Sequence, residues 1–269
     1  MAFLLLAGAT AATAEPLNVH NGRLFIHARI NGVATEALLD SGAEASLVDP
    51  TLAAEAQLPE GQAITLKGSG GSAAARFVES VPIEALGLRV QGEGLVVMDM
   101  SDLSQRLIQR PTRAIVGREL FDAARIRIDV RGGTIDVVDR SQTPAGRPVP
   151  LTAHAGIESL PVTVNGVAAS AEFDLGNGSE PLISRAMVRT LGLKVAGKKA
   201  GGGIGGEVER DLVQIDRLEL AGREFRNVTA AVDDQPNAND LNIGTSILRD
   251  YLITADFKQR AVWLHPVGD

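Results

Sequence analysis

The sequence contains no cysteine, so it has neither a disulfide framework nor a thiol nucleophile. Aromatic residues make up only 3%, with one Trp and one Tyr, which leaves Val, Ile, Leu and Ala to build the core. Basic residues form no block and the formal net charge is −7, so the electrostatic footprint of a nucleic-acid binder is missing. No stretch is apolar for long enough to span a bilayer. Gly-x-Ser-x-Gly does not occur, and His20, His27, His154 and His265 are scattered without metal-ligand spacing. Neither a serine elbow nor a metal or cofactor is implied. Gly201-x-Gly203-x-x-Gly206 has the spacing of a dinucleotide fingerprint, but Lys198-Lys199 precede it and the strand-like Glu207-Val208-Glu209 follows. That fingerprint needs a strand before it and a helix after it.

Met1 to Ala14 carry no charge and run from Ala2-Phe3-Leu4-Leu5-Leu6-Ala7 to the small residues Ala12-Thr13-Ala14. This reads as a signal peptide (residues 1–14) cut before Glu15, and hence as export to a periplasm or medium. The usual basic start is missing, and a buried strand is the other reading of the same run.

Two stretches organise the rest. Ala37-Leu38-Leu39-Asp40-Ser41-Gly42-Ala43 is an apolar run that delivers a carboxylate onto a tight turn. Ala171-Glu172-Phe173-Asp174-Leu175-Gly176 repeats it. Ile30-Asn31-Gly32 precedes Asp40 by the interval at which Val164-Asn165-Gly166 precedes Asp174. Asn-Gly between apolar runs predicts a hairpin in each half. The cluster Gly68-Ser69-Gly70-Gly71 is echoed by Gly201 to Gly206, and Ile115-Val116-Gly117 by Asn242-Ile243-Gly244. Each half closes on a strand-like run, Arg125–Val130 and Tyr251–Phe257. Landmarks recurring in one order mark a tandem duplication. Short helices are predicted over Thr51–Leu58, Ser101–Gln109 and Ser184–Leu191, with strands dominating elsewhere. Pro144, Gly146, Pro148 and Pro150 place a linker at 141–150, between lobes at 15–140 and 151–269.

This arrangement resembles the retropepsin-type aspartic peptidases, once per half. The resemblance implies a mainly β chain of two retropepsin-like β-barrel lobes, related by pseudo-two-fold symmetry and carrying short helices. A single chain would then be a monomer with an intramolecular dyad of Asp40 and Asp174. Two adjacent carboxylates cannot both ionise, so they share a proton and together supply the base and the acid for water attack on a peptide bond. The sequence does not say which Asp plays which part. Ser41, Gly42, Ala43, Leu175 and Gly176 would form the active turns. Gly68, Ser69, Gly70 and Gly71, with Gly203, Ile204, Gly205 and Gly206, would form flaps over an extended peptide or protein substrate. Apolar side chains are expected on both sides of the cut. The second copy departs twice. Leu175 stands where a hydroxyl residue bonds across to the other lobe, and Asn242 stands where an apolar residue is usual. Two readings therefore remain: an active endopeptidase, with Ala43 favouring mildly acidic to neutral pH, and an inactive peptide-binding protein on the same fold.

Overall fold

The computed structural model describes residues 14–268; Met1–Thr13, nearly all of the expected signal peptide, lie outside the described residues. Each half is seeded by its hairpin. Arg23–Ile30 pairs antiparallel with Val33–Leu39, and Ile157–Val164 with Val167–Phe173. The connecting residues take positive φ in both, 45° and 84° at Asn31-Gly32 and 48° and 84° at Asn165-Gly166. Such a turn matches the natural twist of the flanking strands.

The first lobe is a ten-stranded sheet and the second an eight-stranded one. In the second, Ile157–Val164 also pairs with Gly206–Leu220, which closes the sheet on itself. A third sheet of six strands joins the lobes. At its centre Arg125–Asp129 runs antiparallel to Tyr251–Asp256, with Ile128 opposite Ile253. Outside these lie Thr134–Val138 and Glu15–Pro16 on one flank, Ala261–Pro266 and Arg147–Pro150 on the other. The same order on both sides gives the pseudo-two-fold relation. Arg147–Pro150 falls within the expected linker, so its second half is sheet rather than free connection. Pro148 and Pro150 are tolerated there because the strand lies at the sheet edge.

Helices are short. Pro50–Glu55 is capped by Asp49, and Arg185–Leu191 by Ser184 and a left-handed Gly192. The helix expected over Ser101–Gln109 is a π-helical turn, Leu103–Ile108, ended by left-handed Gln109. The second glycine cluster is a strand tip with no helix after it, which disposes of the dinucleotide reading. Among the described residues no helix is long and apolar enough to cross a membrane.

Aliphatic side chains fill the interior, as the composition requires. Three of the few aromatics meet beneath the lobe junction: Phe121 stacks on Phe257 at 5.0 Å, and Phe173 meets Phe257 edge-on at 6.4 Å. Phe173 directly precedes Asp174, so this cluster sets the height of the second active turn.

Candidate active site

Each aspartate leaves the end of a strand that lies parallel to an apolar partner. Leu39 lies beside Val116, and Phe173 beside Ile243. The amide of Asp40 then donates to Val116 O and that of Asp174 to Ile243 O, both at 3.0 Å. Each carboxylate is turned inward by its own loop. Gly42 N donates to Asp40 Oδ1 at 2.8 Å, and Gly176 N to Asp174 Oδ1 at 2.9 Å. The two glycines are required by proximity. A Cβ at Gly42 would lie 3.0 Å from Asp174 Oδ1, and one at Gly176 would lie 2.5 Å from Asp40 Oδ1.

The carboxyl groups of Asp40 and Asp174 flank the same glycine: a Cβ at Gly42 would lie 3.0 Å from Asp174 Oδ1 and 3.3 Å from Asp40 Oδ1. Burial pushes Asp40 up to about 8, helped by the charge of Asp174, while the amides of Gly42 and Ala43 pull the other way. Ser41 locks the turns together from one side. Its Oγ donates to Phe173 O at 2.8 Å and accepts from Leu175 N at 2.9 Å. Leu175 is fully buried in the core and makes no reciprocal bond through its side chain. Thr245 adds a second tie, its Oγ1 donating to Gly22 O of the first lobe.

The other departure, Asn242, is part of the site. Its Nδ2 donates to Asp174 Oδ2 at 2.8 Å and to Glu172 Oε2 at 3.0 Å, while its Oδ1 accepts from Asn177 Nδ2 at 2.9 Å. The orientation is chemically dictated, since the opposite flip would aim a carbonyl at two carboxylates. Glu172 also meets His154 at 3.4 Å. Burial raises its proton affinity, Asn242 offsets part of this, and Asp174 adds to it.

The two glycine tips meet over the dyad. Gly70 N donates to Ile204 O at 3.0 Å, and a Cβ at Gly68 would lie 2.6 Å from Cβ of Ile204. Gly203 abuts Ser69, and Gly205 abuts Gly71. Arginines pin each tip to the opposite lobe: Arg106 donates to Gly201 O and Gly203 O at 2.9 and 3.1 Å, and Arg210 to Ser69 O at 3.1 Å. Beneath the tips lies a cavity of about 510 Å³ lined by both aspartates. Its first-lobe wall combines Leu38, Leu103, Leu107, Ile108 and Ile115 with Asn21, Arg23, Arg106 and Gln109; its second-lobe wall combines Leu182 and Ile204 with Asn177, Glu180, Lys199 and Asn242.

Of the expected residues, Asp40, Asp174, Gly176, Gly68, Ser69, Gly203 and Ile204 line the cavity; Ser41, Gly42, Ala43 and Leu175 lie in the turns that carry the acids, and Gly70, Gly71, Gly205 and Gly206 lie in the tips without lining it. Sequence reading missed Arg23, Arg106, Arg210 and His154, which belong to no local motif, and the part played by Glu172, which lies within the second one. It marked Asn242 as a departure without seeing its partner.

Two lobes, one of ten strands and one of eight, with one carboxylate each at their junction define a bilobal acid-protease architecture. A family model described as aspartyl protease matches residues 26–119 and again 160–247, and the chain belongs to that family, with one retropepsin-like copy in each half. No curated protein matches the sequence.

Proposed function

We propose that the protein is an aspartic endopeptidase that cleaves extended peptide segments of exported proteins. The observation that carries this reading is that the Asp40 and Asp174 carboxyls flank the same glycine and line one cavity beneath the glycine tips. Asn242 supports a division of labour. A donor fixed on Asp174 stabilises its ionised form, so Asp174 is the base and Asp40 holds the shared proton. Asp174 takes a proton from water as the water oxygen bonds to the scissile carbonyl carbon, and Asp40 gives its proton to the carbonyl oxygen. Asp174 then passes its proton to the amide nitrogen, the C–N bond breaks, and Asp40 regains a proton from the diol.

The raised proton affinity of Asp40 keeps one proton on the pair through neutral pH, so activity is expected from mildly acidic to neutral conditions and is lost above about pH 8. An optimum below about pH 3, near the lower pepsin-type value, would contradict this. Export rests on the Met1–Ala14 pattern and a monomeric state on both carboxylates being in one chain. The second reading, a peptide-binding protein without turnover, rests on Leu175. The decisive test is hydrolysis of an unfolded protein by wild type, Asp40→Asn and Asp174→Asn, with and without a statine peptide. Cleavage by wild type alone supports the enzyme; statine binding without cleavage by wild type supports the binder.

A further inference from the structure

Four cations line the cavity: Arg23, Arg106, Lys199 and Arg210. Three are already engaged by carboxylates. Arg106 is held by both oxygens of Asp102 at 2.6 and 3.1 Å, Lys199 by Glu180 at 2.6 Å, and Arg210 by Asp233 at 2.9 Å. Arg23 differs. Among the described residues it has no carboxylate within ion-pair distance, and its hydrogen bond to the protein, Nη1 to Asn21 O, is long at 3.4 Å. Yet the residue is only 8% exposed.

A guanidinium has five N–H donors, and removing them from water without partners is unfavourable. Burial accordingly lowers the proton affinity of Arg23, while the nearby charges of Asp174 and Asp40 restore part of it. The dyad shares a single negative charge, and neither of its members pairs directly with Arg23. Across from the arginine stem lies Gly178, close enough that a Cβ there would sit 2.7 Å from Arg23 Cγ, and it has no side chain to meet the cation. Asn21, Gln109 and Ser179 at this end of the cavity are uncharged. The free donors therefore face the space a substrate fills beside the scissile bond.

We propose that Arg23 determines specificity by receiving a substrate carboxylate next to the cut, in the planar two-point geometry that guanidinium offers. This deepens the peptidase reading and rests on it. The carboxylate can come from an Asp or Glu side chain or from the end of the peptide chain, and both present the same group.

Cleavage sites mapped by mass spectrometry in denatured casein would supply a host peptide. Four versions are then compared: Glu or Gln at the residue flanking the cut on either side, each with an amidated or a free C-terminus. Wild type is expected to show kcat/KM at least about tenfold higher for a carboxylate-bearing version, the scale of one charge-assisted hydrogen bond. A preference for Glu in amidated peptides assigns the side chain; a preference for the free acid irrespective of Glu assigns the terminus. Arg23→Met is expected to bring the ratio to about one, and Arg23→Lys to leave part of it. Loss of a cation beside the dyad slows all four versions alike, so the ratio isolates the carboxylate. A wild-type ratio near one, or an unchanged ratio in Arg23→Met, overturns the proposal. Calorimetry with Glu and Gln statine peptides separates the two levels. Tighter Glu binding that Arg23→Met abolishes, without hydrolysis by wild type, leaves Arg23 standing and removes the peptidase.

Discussion

The two lobes place their aspartates on one frame but surround them with different chemistry. In the first, Leu38 lies across from Phe25 on one neighbouring strand and beside Ile115 on the other. The corresponding positions in the second are Glu172, across from Ser159 and beside Asn242. One carboxylate thus stands on an apolar bed and the other on a hydrogen-bonded polar one. Ser41 and Leu175 reverse the contrast, since the first turn supplies the hydroxyl that ties the lobes and the second supplies packing. Duplication preserved the strands that position the acids, while divergence gave the two acids different surroundings.

The contrast can be broken most severely at the acids. Asp40→Asn or Asp174→Asn is expected to cut kcat by at least about 10³-fold, measured on the casein-derived peptide, because the proposed chemistry needs a base and an acid from the pair. Next in size is the packing of the second turn. Leu175→Ala is expected to cost about 2–5 kcal/mol of stability in denaturant unfolding, as for other fully buried leucines. Making the second bed resemble the first, with Asn242→Ile, removes a donor from the ionised acid. It is expected to lower kcat about tenfold or more. The groups facing Asp174 there are Asp40, Arg23 and Glu172, with His154 behind Glu172, and none of them replaces the lost amide. Ser41→Ala breaks both bonds across the junction and is expected to cost about 1–3 kcal/mol.

A further effect concerns stability and pH. Asp40 binds its proton more tightly in the folded chain than a free Asp does, so the native state holds a proton that the unfolded state has released. Stability from this group therefore falls as pH rises from about 4, the unfolded value, towards the raised folded one. Asp40→Asn is expected to flatten that decline, with its advantage over wild type growing across the window in melting experiments. An advantage that shrinks as pH rises would contradict the assignment.

What the sequence disclosed follows from the range of each signal. Asp40-Ser41-Gly42, the Asn-Gly turns and the glycine tips act through neighbours along the chain, so spacing alone reveals them. The duplication supplied the rest by pairing Asp40 with Asp174. The surroundings depend on strand register instead. Glu172 and Asn242 are far apart in sequence and meet because Val167–Phe173 and Leu241–Ile243 run side by side. Arg23 carries no motif, and its significance appears only when its lack of a carboxylate partner is set against Arg106, Lys199 and Arg210. The edge strand inside the 141–150 segment was hidden for a related reason: proline content marks such a segment equally well whether it is free or lies along a sheet edge.

The shared proton is most directly tested by NMR titration of ¹³C-labelled aspartate carboxyls in wild type, Asp40→Asn and Asp174→Asn. The expected wild-type result is two coupled steps, one well above the ordinary carboxylate range, with the high step lost when either partner becomes Asn. Two independent titrations near pH 4, unchanged by substitution of the partner, would contradict a dyad.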